Sequence, residues 1–308
     1  MVIRFCRSRS VTSGPCWANL TYVAAFDEFN TRITPDSAFR EKVNERKDAV
    51  VATLKAAFPS TSNVQYQSTK LIGSLGRNTA SVPVADIDLM VHLHVDSDLW
   101  NQSYPTNSAD FLYRVRRSLN NASTVKKIGA RGQAVRLFYA DGLIVDVAAG
   151  VKYTTGGYGI PDGSGGWQTT DPVKHESYLN ERNAKLIGDL KKVIRFAKQW
   201  NKAHSSRLSS FHLEMMVART FATMNTNSRT ALRLFFEYNH NNLSVQDPAG
   251  YGGDLSKYLT YSATAEVNKS LRAALTRADE AIAVESSNPA EAIRLWKIIL
   301  SDRFPSLG

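Results

Sequence analysis

Residues 86–94, Asp-Ile-Asp-Leu-Met-Val-His-Leu-His, set two carboxylates in a run rich in β-formers. Its apolar content and length predict a strand. Side chains two apart on a strand share a face, so Asp86 and Asp88 aim at one point. A fold that takes in this run has to accommodate two like charges at short range, which oppose joint ionisation. A divalent cation removes that opposition and takes further oxygens from phosphate and water. Read alone, an Asp-x-Asp equally fits two solvent-facing residues on an amphipathic strand.

The residues upstream narrow the choice. Gly73-Ser74-Leu75-Gly76-Arg77-Asn78-Thr79 opens on a Gly-Ser turn twelve residues before Asp86. Gly73 allows backbone amides to approach a phosphate, and the Ser74 hydroxyl can donate to it. A short helix starting there would add the favourable end of its dipole. Further along, Val135–Tyr139 and Leu143–Val147 read as strands joined by Ala140-Asp141-Gly142, a hairpin signal. Asp146 lies inside the apolar run Leu143–Ala149, where an aspartate has little reason to be unless it faces a site; the turn already explains Asp141. Two-metal phosphoryl and nucleotidyl transfer needs a third carboxylate from a neighbouring strand, and Asp146 is the candidate.

The remaining pattern is a helix, then a mixed central sheet, then a helical half. Residues 37–57 have the spacing of a long amphipathic helix that Pro59 ends, residues 64–72 suit a strand, and 109–120 suit a helix with Arg114, Arg116 and Arg117 outward. Residues 150–172, rich in Gly, Pro and Asp with Tyr153, Tyr158 and Trp167 interspersed, read as one long loop. Helices are expected over roughly 177–202, 208–225, 228–239, 264–284 and 288–301. At 308 residues and 43% hydrophobic content the chain can bury one large core or two joined lobes. No apolar run approaches a membrane span, so no membrane partner is expected. Cys6 and Cys16 are the only cysteines and have no companions at metal-ligand spacing, which argues against a zinc site or disulfide framework and fits a cytoplasmic location. Residues 1–20 carry Arg4, Arg7 and Arg9 without an apolar core segment and read as a frayed N-terminus. The formal net charge of +10 suits triphosphates, nucleic acid or an acidic surface, or is simply a solvated basic exterior. The six histidines show no ligand spacing, and His92 and His94 read as structural.

Gly73-Ser74, Arg77-Asn78-Thr79 and Asp86-Ile87-Asp88 together resemble the signature of the nucleotidyltransferase superfamily related to DNA polymerase beta. Within it the chain is most similar to the cGAS/DncV-like nucleotidyltransferases (CD-NTases) of bacterial antiphage systems. The helix Leu190–Asn201, the segment Leu208–Glu214 and Asp247-Pro248 resemble elements of that subgroup's C-lobe, and the likeness runs over roughly residues 30–300. It implies an α+β, bilobed polymerase beta-like fold: a mixed central sheet, a long N-terminal spine helix and a helical C-lobe. The implied division is a poorly structured segment 1–25, a catalytic core 26–175 and a nucleotide-binding C-lobe 176–308. The resemblance further implies two Mg²⁺ ions (or Mn²⁺) on Asp86, Asp88 and Asp146, a triphosphate on Gly73, Ser74, Arg195 and Ser210, and a base stacked on Phe211, where the family often has Tyr. Without the resemblance, Arg195 reads as part of a solvated face with Lys191, Lys192 and Lys198, Ser210 as an N-cap and Phe211 as a core aromatic.

The implied activity is Mg²⁺-dependent condensation of nucleoside triphosphates, ATP among them, into a cyclic di- or trinucleotide second messenger with release of pyrophosphate. Linear oligoadenylate synthesis, nucleotide addition to an RNA end, a toxin that adds nucleotides to protein or transfer RNA, and a non-catalytic nucleic-acid-binding protein on the same fold all stay open at this point. So does activation by a regulatory protein or a nucleic acid.

Overall fold

A computed structural model describes residues 22–306, apart from 121–123, 187, 222 and 224–226. The expectation for the first 20 residues, and both cysteines with it, falls outside the described residues.

The sheet half is a mixed sheet with helices packed on one face. Helix α1 (Tyr22–Ile33) precedes the long α2 (Ser37–Ala57), whose N-terminus is capped by Asp36 accepting from the Phe39 amide. Strand β1 (Val64–Leu71) leads through the single-turn helix α3 (Gly73–Gly76) to β2 (Ile87–Val95). Helices α4 (Ser97–Ser103) and α5 (Ser108–Leu119) follow, then β3 (Val125–Arg131), β4 (Ala134–Tyr139) and β5 (Ile144–Lys152). The strand order is β1-β2-β5-β4-β3. Only β2 and β5 run parallel; in their register Asp88 lies beside Asp146. Val43, Val50 and Leu54 of α2 and Phe111, Val115 and Leu119 of α5 cover a sheet face made by Ile87, Leu89, Val91, Val145 and Val147. The inward residues alternate with Asp86, Asp88 and Asp146, so the strand period that buries the apolar set turns the carboxylates to the other face.

The region expected as one loop is more ordered than its composition suggests. Strand β5 continues to Lys152, and β6 (Tyr158–Pro161) and β7 (Trp167–Thr170) form a hairpin that pairs back onto it. Trp167 anchors this hairpin: its indole N–H donates to the Tyr104 carbonyl at 2.7 Å and its ring packs on Trp100 and Phe111.

The helical half comprises α6 (Pro172–Lys185), α7 (Leu190–Ala203), α8 (Ser210–Thr220), α9 (Ser228–Asn239), α10 (Tyr261–Val284) and α11 (Pro289–Leu300). The stretch expected as one helix over 177–202 is therefore two, broken near Gly188, whose φ of +85° suits glycine. Helix α8 ends five residues before the expected position. Helix α1 belongs to this half: Phe26 packs edge-on against Phe196, Trp296 and Phe304, and Phe29 stacks on Phe196. Residues 22–25, expected with the unstructured segment, are thus helical, and α1 as a whole sits with the helices and not with the sheet.

Candidate active site

The Gly-Ser turn lies directly against the carboxylates. The Ile72 amide donates to the Asp88 carbonyl at 2.9 Å, which locks the start of α3 to β2. Gly73 adopts φ +62°, and a Cβ there would fall 1.9 Å from Oδ2 of Asp88. Only glycine lets the turn come this close. Ser74 follows at the lip of the cleft that Asp86 and Asp88 line.

Asp86 stands just before β2, Asp88 within it and Asp146 one strand across; one carboxylate oxygen from each lies within 4.8 Å of the others. Burial and then the charges of Asp86 and Asp146 push the Asp88 carboxyl up to about 6. Asp86 is raised by burial first and Asp146 second, with Arg136 opposing. Arg136, the register partner of Asp146 on β4, grips Asp146 bidentately, Nε donating to Oδ1 at 2.7 Å. The three carboxylates thus repel one another; Arg136 offsets all three and Arg77 offsets Asp88 as well. An all-oxygen, triply anionic set of this kind fits a hard divalent cation. Among the described residues no other group of Asp, Glu, His and Cys comes together in this way; His92 packs against Tyr158 instead.

Two clefts meet at the triad. One, of about 480 Å³, lies between the halves and is lined by Ser74, Asp86, Asp88, Lys198, Lys202, Ser210 and Phe211 among others. The second, of about 500 Å³, lies over the sheet face that carries β2, β5 and β4 and is lined by Asp88, Asp146, Arg136, Gln133 and Ile160 among others. Asp88 borders both.

Gly73, Ser74, Ser210 and Phe211 line one cleft together with Asp86 and Asp88. Ser209, not Ser210, caps α8, accepting from the His212 amide, which leaves Ser210 open to the cleft. Arg195 does not line the cleft. Its guanidinium donates to Oδ1 of Asn30 and to the Asn78 carbonyl, tying α1 and the turn after α3 to α7. The cations that line it are Arg77, from the turn after α3, and Lys198 and Lys202, three and seven residues further along α7 than Arg195. Lys198 is buried, with Nζ 2.6 Å from Glu214 and 3.0 Å from the Thr79 carbonyl. Arg77 binds the same carboxylate, Nε to Oε2 at 2.6 Å. Burial pushes the Glu214 carboxyl up, but Lys198 and Arg77 outweigh it and hold it at about 2. Burial pulls the Lys198 ammonium down, Glu214 pulls it part of the way back, and the Arg77 and Arg195 charges add to the lowering. Lys202, although exposed overall, holds its ammonium against the Ser81 and Pro83 carbonyls at 2.6 and 2.9 Å. That local desolvation, with Lys198 and Arg303 nearby, lowers it to about 8. A signal for Lys198 exists in the sequence: it falls on the apolar stripe Leu190, Ile194, Ala197, where a lysine calls for a buried anion.

Comparison with known proteins agrees with this geometry. Residues 20–183 match the Second Messenger Oligonucleotide or Dinucleotide Synthetase domain, SMODS. A probable cyclic nucleotide synthase of Bacillus cereus (strain VD146) is 30% identical over 269 residues, covering 76% of this chain and 81% of that protein. Among solved structures, Escherichia coli MS115-1 CdnC with ATP superposes with a TM-score of 0.77 at 16% identity, over 92% of this chain and 99% of that one. The Vibrio cholerae cyclic AMP-GMP synthase DncV, in complex with the linear intermediate 5′ pppA(3′,5′)pG, gives 0.74 at 13% identity, over 92% and 98%. A bilobed fold, a three-aspartate cluster flanked by two clefts and a family match over more than half its length place this chain in the second messenger oligonucleotide or dinucleotide synthetase family, among the CD-NTase nucleotidyltransferases.

Proposed function

We propose that the protein condenses nucleoside triphosphates into a cyclic di- or trinucleotide second messenger and releases pyrophosphate, in the setting of antiphage signalling. The observation that carries this reading is the position of Asp86, Asp88 and Asp146 at the meeting point of two clefts, one for each reacting nucleotide. The three carboxylates would hold two Mg²⁺ ions, which activate the attacking hydroxyl and neutralise the departing pyrophosphate.

The chain's own groups do the placing. Ser74 and Ser210 offer hydroxyls to the phosphates of the nucleotide in the inter-lobe cleft, and Lys198 and Lys202 offer positive charge from one helix face. Lys198 and Lys202 take the place that the resemblance assigns to Arg195. Phe211 presents a ring for the base, without the hydroxyl of a tyrosine. The second nucleotide occupies the cleft beside Asp146 with its ribose hydroxyl directed at the α-phosphorus. Attack forms the new P–O bond, breaks the bond to the bridging oxygen and expels pyrophosphate; the same step on the linear intermediate closes the ring. The rate comes from holding two polyanions in line and neutralising their charge.

The test is incubation of the purified protein with all four nucleoside triphosphates and Mg²⁺, followed by phosphatase and mass spectrometry. A phosphatase-resistant product with the mass of a cyclic di- or trinucleotide is expected. Products that lose their terminal phosphates would make it a linear oligonucleotide synthase instead, and absence of any product would remove the enzymatic reading. Among the described residues no helix is long and apolar enough to cross a membrane.

A further inference from the structure

His175 stands in the first turn of α6 and lines the inter-lobe cleft beside Phe211. The two rings lie 4.6 Å apart, inclined at 51°. Nε2 of His175 is 2.7 Å from Oδ1 of Asp247. Asp247 is buried in the turn that Asp247-Pro248 begins: the Ala249 amide donates to Oδ1 at 3.1 Å, and those of Tyr251 and Gly252 donate to Oδ2 at 3.1 and 2.7 Å. These N–H groups and His175 overcome burial and hold the Asp247 carboxyl below its ordinary value, so it is ionised and can only accept. Nε2 of His175 therefore carries a proton. Burial pulls the imidazole below its ordinary value against the pull of Asp247, so the ring is neutral at pH 7. Nδ1 is then an unprotonated acceptor. It has no hydrogen-bond partner among the described residues, and its ring forms part of the cleft wall.

We propose that His175 sets base choice in this cleft: Nδ1 accepts a hydrogen bond from the exocyclic 6-amino group of an adenine stacked on Phe211. Asp247 acts through His175 as a positioning residue by fixing the tautomer. A base that offers a carbonyl oxygen at the same place sets one lone pair against another and is disfavoured. The Asp247-Pro248 turn thereby acquires a reason to sit behind His175. The inference rests on the reading of this cleft as a nucleotide site.

The experiment is calorimetric titration of wild type with the triphosphates of adenosine, purine riboside (hydrogen at C6) and inosine (oxygen at C6), each in its 2′,3′-dideoxy form so that no hydroxyl can attack. The wild type is expected to bind the adenosine form about three- to tenfold more tightly than the purine riboside form, the worth of one neutral hydrogen bond, and the inosine form most weakly. His175→Gln keeps an N–H for Asp247 but has no acceptor at the Nδ1 position, and should bind adenosine and purine riboside forms alike. His175→Asn, whose amide oxygen reaches that position, should recover part of the preference. Equal wild-type affinity for the adenosine and purine riboside forms overturns the inference whether or not the variants fold, and so does an undiminished preference in a folded His175→Gln. If wild type binds none of the three, the reading of the cleft as a nucleotide site falls, and this inference falls with it.

Discussion

Glu214→Gln removes the one anion shared by Arg77 and Lys198 while keeping the shape of the side chain. Glu214 is fully buried, and its two cations come from opposite halves: Arg77 from the turn after α3, Lys198 from α7. The variant leaves two buried cations facing one amide. Breaking a buried ion pair by removing one partner costs about 3–5 kcal/mol. For a protein of this size that is a loss of about 5–8 °C in melting temperature. The direction agrees: Lys198 and Arg77 hold the Glu214 carboxyl at about 2, below its ordinary value, so the ionised form is the one the fold favours. The pH dependence carries the sign. A depressed carboxyl contributes its stability fully above its ordinary value, and that contribution is lost as pH falls from about 4.5 towards about 2. The gap between wild type and Glu214→Gln, measured as urea midpoints from pH 7 down to pH 2.5, should stay constant to about pH 4.5 and then shrink. Adding Lys198→Met should recover part of the loss at pH 7. A melting temperature within 2 °C of wild type, or a gap that does not change across this range, would refute the idea that Glu214 joins the two halves by charge.

Other outcomes follow from the same geometry. Gly73→Ala forces a Cβ into Asp88 at a backbone angle that disfavours it; it should destabilise the protein by about 1–3 kcal/mol and abolish the stabilisation that Mg²⁺ gives in a thermal melt. Because Asp88 is raised to about 6, protons compete with metal, and a metal-free chain gains stability from this group as pH falls through that value; the Mg²⁺-induced rise in melting temperature should be larger at pH 7.5 than at pH 5. Lys202→Met should raise the KM for nucleoside triphosphate about tenfold in a pyrophosphate-release assay, a loss of about 1.4 kcal/mol. Arg195→Met should leave that KM within about twofold and instead lower stability by about 1 kcal/mol, since its hydrogen bonds run to Asn30 and Asn78.

What the sequence displays is local anomaly. Asp86, Asp88 and Asp146 stand out because carboxylates in apolar strand runs need a cation, and Gly73 stands out beside them. Lys198 is an anomaly of the same kind, but it shows only once the buried face of α7 is known, and without that face it merges with Lys191, Lys192 and Arg195. The strands β6 and β7 span four residues each among glycines, too short for periodicity to register. The break between α6 and α7 is marked by Gly188 and held by Asn183, whose side chain accepts from the Lys191 amide and whose carbonyl accepts from the Gly188 amide. Contacts between distant residues have no local trace: the parallel pairing that sets Asp88 beside Asp146, the docking of α1 onto α7 and α11, and the His175–Asp247 pair 72 residues apart all come from tertiary packing.

Nucleotidyl transfer between the two clefts is expected to depend on Asp86, Asp88 and Asp146. Pyrophosphate release from mixed nucleoside triphosphates, measured for wild type and Asp88→Asn with and without Mg²⁺, tests this dependence most directly. Wild type should release pyrophosphate only with Mg²⁺, and Asp88→Asn should lose at least about 100-fold, some 2.7 kcal/mol of transition-state stabilisation, while melting no lower than wild type. Release at an undiminished rate by Asp88→Asn, or by wild type stripped of divalent metal, would contradict it.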